Sequence, residues 1–83
     1  MFTITSPTIH SLHRLKPGTQ GKIVKINSTG SLRRRILEMG VGPGSSIIIN
    51  GVAPLGDPIE VTIKGYHLTL RKSEAKTILV EVQ

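Results

Sequence analysis

Cysteine is absent from this chain of 83 residues, which excludes disulfide bonds and thiolate metal sites. Aromatic residues are almost absent as well, because Phe2 and Tyr66 are the only two. Proteins that bind single-stranded nucleic acid usually stack bases on aromatic rings, and grooves for proline-rich peptides are lined by aromatic side chains. The composition therefore disfavours both kinds of site.

Long apolar runs are missing too. No stretch approaches the roughly 20 apolar residues that a membrane-spanning helix needs. The N-terminus lacks the charged and then apolar order that is typical of a secretory signal peptide. We therefore expect a cytoplasmic protein, and the lack of cysteine fits a reducing compartment. The length predicts one small domain rather than two.

Acidic residues are missing from residues 1–37, which contain seven lysines and arginines. Residues 38–83 contain four basic and five acidic residues, so charges of +7 and −1 make up the net +6 of the chain. A one-sided positive field favours an anionic partner and accelerates the encounter with it. Charge alone does not distinguish nucleic acid, membrane and protein as that partner.

Hydrophobic patterning predicts five short strands. Two segments are rich in β-branched residues, two alternate apolar and polar residues around a predicted Lys64-Gly65 hairpin turn, and a fifth alternates near the C-terminus. They are residues 21–27, 45–52, 59–63, 67–71 and 77–82. "KSEAK" permits one helical turn with Ser73 as its N-cap. Residues 1–11 show no pattern, so we expect a flexible lead-in followed by a single domain over residues 12–83.

Residues 31–39 have the apolar spacing i, i+4, i+7 of an amphipathic helix. Gly40 predicts a left-handed C-cap, after which Val41 can fold back on Ile36 as in a Schellman motif. The apolar stripe consists of Leu32, Ile36 and Met39, and the polar side carries Arg33, Arg34 and Arg35. The predicted fold is thus mainly β, with about five strands and this helix between the first two. Closure into a small barrel would remove exposed strand edges.

Residues that could support catalysis are few. Asp57 is the only aspartate, and it lies between Gly56 and Pro58, where a local turn role is favoured over catalysis. Glu60 and His67 share the polar face of the predicted hairpin and could weakly hold iron(II) or another divalent transition metal. A solvated sheet face is the favoured interpretation of that pair. We therefore predict no enzyme activity and no firmly implied cofactor.

Four segments, in order, closely resemble the ferrous iron transport protein A (FeoA) family: "LHRLKPGTQGKI", "RRRILEMGVGPGSS", "VAPLGDPIEV" and "GYHLTLRKSEAKTILVEV". The resemblance covers about residues 11–82, and its most distinctive parts are "APLGDPI" and "LTLR-x-x-EA". It implies a small SH3-like β-barrel with the arginine helix on one side. It also implies a non-enzymatic, cytoplasmic regulator of FeoB, a membrane iron(II) transporter with a GTP-binding domain. Domains of this type are often described as binding transition metal.

The resemblance gives the arginines a hypothetical role. We expect Arg33, Arg34 and Arg35 to form a cationic docking surface for an acidic face of the transporter, or for nearby anionic lipid headgroups. Leu55, in a loop bounded by prolines, and Tyr66, on the hairpin, are candidate exposed apolar contacts. The alternative is a small basic SH3-like barrel that binds nucleic acid, although no specific nucleic acid is expected. For any single arginine, a solvated helix face is the competing interpretation.

Overall fold

The computed structural model describes residues 8–83, and within that range six strands form one antiparallel sheet. In chain order the elements are β1 (Ile9–Ser11), a 3-10 turn (Leu12–Arg14), β2 (Gln20–Ile26), α1 (Gly30–Glu38), β3 (Ser46–Val52), β4 (Ile59–Ile63), β5 (Tyr66–Leu70), α2 (Lys72–Ala75) and β6 (Ile78–Val82). The strand order is β1-β6-β2-β3-β4-β5. A mainly β fold of the predicted kind is confirmed, and all five predicted strands are present.

The predicted closure into a barrel is wrong, because β1 and β5 are the two edges of an open sheet. β1 has only three residues, and its pairing is with β6. The chain continues from β5 into α2 rather than into another strand. The 3-10 turn contacts both α2 and β6, and Leu12 and Ala75 in these two helical segments are fully buried. Helical packing therefore covers the core where strand pairing was expected to close it.

β1 is a sixth strand, and it lies inside the predicted lead-in of residues 1–11. Its register pairs Ile9 with Glu81 and Ser11 with Leu79. Three residues are too few to show a period-2 pattern, so the local sequence gave no sign of this strand. Because β1 precedes the other strands, α1 lies between the second and third strands and not between the first and second. Residues 1–7, which include Phe2, lie outside the described residues.

The exit from α1 is the predicted Schellman motif. Gly40 has a φ of +72°. Its N–H donates to the Leu37 carbonyl at 3.0 Å, and the Val41 N–H donates to the Ile36 carbonyl at 3.1 Å. Ile36 and Val41 are both buried, which supplies the hydrophobic contact that accompanies this motif. The helix end is thus fixed by backbone geometry and by core packing together.

The hairpin between β4 and β5 turns through two residues, as predicted. Lys64 and Gly65 both have positive φ, +51° and +85°, which is the requirement of the type I′ turn that matches strand twist. The Lys64 ammonium group donates to the Gly40 carbonyl at 3.0 Å. This hydrogen bond connects the hairpin to the C-terminal end of α1, where a positive charge is favourable.

The N-terminus of α2 differs from the predicted Ser73 cap, because the cap residue is Arg71. The Arg71 backbone N–H donates to the Glu74 carboxylate at 2.8 Å. The next N–H, of Lys72, donates to the Asp57 carboxylate at 3.2 Å. Two carboxylates therefore accept hydrogen bonds from the first backbone N–H groups of this helix. One of them belongs to Asp57, which thereby has a structural role.

The core consists of inward-facing residues from the 3-10 turn, the helices and β2 to β6, with Val41 from the segment after α1. It comprises Leu12, Ile23, Leu32, Ile36, Val41, Ile47, Ile49, Ile59, Val61, Ile63, Leu70, Ala75, Ile78 and Val80. Gly21 in β2 lies so close to β6 that an added Cβ would collide with the Glu81 backbone oxygen. That position requires glycine because of a contact with a distant part of the chain.

Candidate functional site

The three arginines of α1 lie on its solvent-facing side. Leu32 and Ile36 are buried in the core, whereas Arg33, Arg34 and Arg35 are all exposed. This orientation follows from the 3.6-residue period of the helix, which puts the arginines between and beside the buried positions. The arginines are therefore available to a partner, and they contribute little to the packing of the core.

Arg35 borders a polar cavity of about 670 Å³. α1 contributes Ser31 and Arg35 to it, and the segment from β5 to α2 contributes Arg71 and Glu74. One Glu74 oxygen already accepts a hydrogen bond from the Arg71 backbone. Two guanidinium groups in one cavity are suited to carboxylate or phosphate, which they can bind in a bidentate manner. Arg71 thus adds a cation that the sequence pattern did not single out.

Leu55 is 91% exposed in the loop between β3 and β4. This loop is closed by two backbone hydrogen bonds, from Gly56 to the Ala53 carbonyl at 2.7 Å and from Ala53 to the Pro58 carbonyl at 3.0 Å. Pro58 also lines the cavity that contains Arg35. The loop that presents Leu55 therefore reaches the same depression as α1, although Leu55 itself does not line it.

Tyr66 is 52% exposed at the first position of β5, opposite Ile63. Its hairpin is joined to the end of α1 by the hydrogen bond from Lys64 to Gly40. The structure therefore places the two predicted apolar contacts, Leu55 and Tyr66, on different elements, and the hairpin of Tyr66 reaches the end of α1 through Lys64. Neither side chain lines the Arg35 cavity.

Glu60 and His67 do lie on one polar face of the β4–β5 hairpin, because His67 pairs with Thr62 and Glu60 with Thr69. The His67 Nδ1 atom lies 3.2 Å from the Thr62 hydroxyl, which accepts a hydrogen bond from Asn50 at 2.6 Å. Residues 8–83 contain no cluster of three or more histidines and carboxylates that could hold a metal ion. Glu60 and His67 together supply two potential ligands, whereas zinc sites in proteins usually have three or four protein ligands.

His13 is a half-buried residue that precedes β2. It lies in the 3-10 turn, and its Nδ1 atom is buried without a hydrogen-bond partner. Burial lowers the pKa of His13, and the positive charges of Arg14, Lys76 and Lys72 lower it further. No sequence pattern indicated this burial, because α2 and the 3-10 turn meet only in the folded chain.

Within the described part of the chain, no helix has the length and apolar character needed to cross a membrane. The FeoA domain family matches residues 10–82, which is nearly the whole of the described range. The chain belongs to the FeoA family. The resemblance carried by its four sequence segments is thereby confirmed, and the family is involved in ferrous iron transport.

One relative combines FeoA with the transporter in a single polypeptide. The Fe(2+) transport protein A/Fe(2+) transporter FeoB fusion protein of Porphyromonas gingivalis is 41% identical over 71 residues, which cover 86% of this FeoA chain. This chain spans about 8% of the length of that relative. The two functions named for that protein are therefore parts of one chain there.

Solved FeoA structures share the fold. The FeoA-like protein from Clostridium acetobutylicum is 42% identical with a TM-score of 0.76, over 94% of this chain and 90% of that one. The FeoA of Stenotrophomonas maltophilia, complexed with zinc and described as a prokaryotic SH3 domain protein, is 25% identical with a TM-score of 0.74. That match covers 87% of this chain and 89% of the other. The open six-stranded sheet described above is accordingly SH3-like.

Proposed function

We propose that this FeoA-family protein is a cytoplasmic accessory of ferrous iron uptake that docks on the cytoplasmic part of a FeoB-type transporter. The observation that carries the proposal is the fusion relative, in which the two partners are one polypeptide. Fusion gives two domains a high effective concentration, which is useful when their function depends on contact. In this case the contact would form between two separate molecules, this protein and the transporter.

Arg33, Arg34 and Arg35 are the residues that we assign to this contact. They are exposed on one side of α1, and residues 1–37 around them contain no carboxylate. Exposed cations of this kind act mainly on the rate of encounter with an acidic surface. Leu55 and Tyr66, both exposed, would add apolar contact area. The anionic partner surface would be an acidic face of the transporter's cytoplasmic region or the anionic lipid headgroups nearby.

Metal chelation by this chain is not part of the proposal. Glu60 and His67 offer two ligands at most, and among residues 8–83 no third ligand joins them. Iron(II) is the cargo of the transporter in this scheme. The protein would influence transport through contact with the transporter.

The test compares two triple variants that lose the same charge. One replaces Arg33, Arg34 and Arg35 by Gln, and the other replaces the exposed Arg14, Lys16 and Lys22 by Gln. Each is titrated against the cytoplasmic region of the FeoB transporter of the same organism, at low and at high salt. We expect the α1 variant to bind several-fold more weakly with a flatter salt dependence, and the control variant to lose less, because it changes only the general field.

Two outcomes contradict the proposal. Equal affinities and salt slopes for wild type and the α1 variant would reduce the arginines to a solvated helix face. Binding of nonspecific DNA with a steep salt dependence, together with no binding to the transporter region, would favour the basic nucleic-acid-binding alternative.

A further inference from the structure

An apolar groove lies between α1 and the second half of β2, separate from the Arg35 cavity. It has a volume of about 250 Å³. Its apolar walls are formed by Val24 and Ile26 from β2, Leu37 from α1 and Pro43 from the segment that follows. Lys25 and Arg33 supply the cationic part of its lining. The groove therefore combines an apolar interior with two positive charges.

The groove exists because β3 separates from β2 partway along. The two strands pair only from Gln20 to Lys22, and Ile23 then exchanges its last backbone bonds with Gly44 and Ser45, at 2.7 and 2.9 Å. Gly42–Ser45, the segment that precedes β3 in the chain, turns away from β2 at this point. Pairing of β2 with β6 continues to Ile26, with a register shift between Ile23 and Lys25. On its other side, the end of β2 therefore has α1 as a neighbour instead of a strand.

Leu37 is the exposed apolar residue of this groove. It is 57% exposed, although Leu32 and Ile36 of the helix stripe are buried. Core packing does not explain a leucine at this position. Sites for small molecules usually occupy roughly 300–1,000 Å³, so a groove of about 250 Å³ is small for such a ligand. It is suited to one or two aliphatic side chains presented by another protein segment.

The positive charges that line the groove indicate which kind of protein segment would bind there. Lys25 and Arg33 line the groove, and residues 8–37, which include β2 and nearly all of α1, contain no Asp or Glu. A basic or neutral segment would gain nothing from these cations, whereas carboxylates on either side of an apolar residue would pair with them. We infer that this groove binds an acidic protein segment by seating its aliphatic side chain against Leu37, Val24 and Ile26. The inference rests on the proposed docking role and names the chemistry of the docked segment.

The test uses two synthetic peptides and the full chain labelled with nitrogen-15. The acidic probe is Glu-Asp-Leu-Glu-Ile-Asp-Glu, and the basic probe has Lys in place of each acidic residue. We expect the acidic peptide to shift the amide signals of Val24–Ile26 and Leu37 in a saturable manner, and the basic peptide to leave them unchanged. The absence of saturable shifts with the acidic peptide at millimolar concentration would overturn the inference, as would equal binding of both peptides.

Two variants locate the binding. Leu37→Glu should weaken the acidic peptide at least tenfold, whereas Ile9→Glu should not. Ile9 is also an exposed apolar residue, at 48%, and it lies on β1, which β6 separates from β2. Equal losses in both variants would contradict the groove as the site. Because Leu37→Glu could disturb α1, the double variant Lys25→Glu/Arg33→Glu is measured as well, and it should reverse the preference toward the basic peptide. An unchanged preference would also count against the groove.

The two proposals fail in different ways. If the transporter region binds in the manner expected of the α1 arginines while the acidic peptide does not enter the groove, docking stands and the groove inference is wrong. If the peptide occupies the groove but the transporter region does not bind, the proposed partner is wrong and the groove serves another acidic segment.

Discussion

At the scale of single residues, His13 is a titratable group with a clear electrostatic environment. Its Nδ1 atom is buried without a partner, so protonation of the ring would put a charge in a poorly solvated position beside three cations, Arg14, Lys72 and Lys76. Burial is the larger cause of its lowered pKa, and the neighbouring charges add to it. The folded state therefore prefers the neutral ring.

This preference predicts how stability depends on pH. The unfolded chain titrates His13 near its ordinary pKa of 6.5, and the folded chain does so at a lower pKa. Between those two values the unfolded state binds more protons, so the free energy of unfolding decreases as the pH falls through the range below the ordinary pKa of 6.5. Thermal unfolding should show a larger decrease for wild type than for His13→Gln across that range. Parallel pH profiles of the two proteins would show that His13 does not contribute.

The environments of Gly21 and His13 are features that the sequence did not predict. Gly21 cannot accept a Cβ because the Glu81 backbone crosses it, and the buried state of His13 arises from α2, which is far away in sequence. Both constraints depend on contacts between distant parts of the chain. Leu37 lies beside the i, i+4, i+7 stripe in the sequence, but its exposure and its place in the groove wall depend on how α1 packs against β2.

At the scale of elements, the prediction succeeded where a local pattern determines the structure. The β4–β5 hairpin and α1 each carry their own turn or cap residues, and both formed as predicted. β1 and the edges of the sheet were not predictable in this way. A strand of three residues has no readable period, and its partner, β6, lies at the other end of the chain.

The end of α1 offers a test of one such local signal. A β-branched residue at Gly40, with its φ of +72°, should cost about 1 kcal/mol or more. For a domain of this size, that loss lowers the thermal midpoint by about 4–8 °C. Gly42→Val is the matched control, because Gly42 has no positive φ and an added Cβ there would meet nothing within 4 Å. Equal midpoints for both variants would refute the capping role of Gly40.

At the scale of the whole molecule, charge and topology divide the chain differently. Residues 1–37 carry a charge of +7, which exceeds the net +6 of the chain, yet the strands of that part are interleaved with β6 in the sheet order β1-β6-β2-β3. The cationic part is therefore not an independent unit that could be separated from the remainder. The three arginines of α1 depend on a core to which both parts of the chain contribute.

Removal of residues 1–11 tests the predicted boundary of the domain. β1 pairs with β6 from Ile9 to Ser11, and the Val82 N–H donates to the Thr8 carbonyl at 2.8 Å. Because a backbone hydrogen bond contributes roughly 1 kcal/mol net, the truncated chain should lose about 4–8 °C or more in its thermal midpoint. Its exposed β6 edge should also promote self-association, which light scattering would detect. A chain that lacks only residues 1–7 is the control, and equal stability of the two would support residues 1–11 as a dispensable lead-in.

The internal position of β6 has a consequence for the order of folding. β6 is the last strand of the described chain, yet it pairs on both sides, with β1 and with β2, and Ile9 meets Glu81 across 72 positions. Such distant pairings slow folding, and during synthesis β2 has no β6 to pair with until residues 78–82 emerge from the ribosome. Over that interval β2 exposes a backbone edge that includes Lys22 and Lys25. Lysines on an open edge discourage pairing with a second chain, so these charges would protect the nascent protein before they serve any partner.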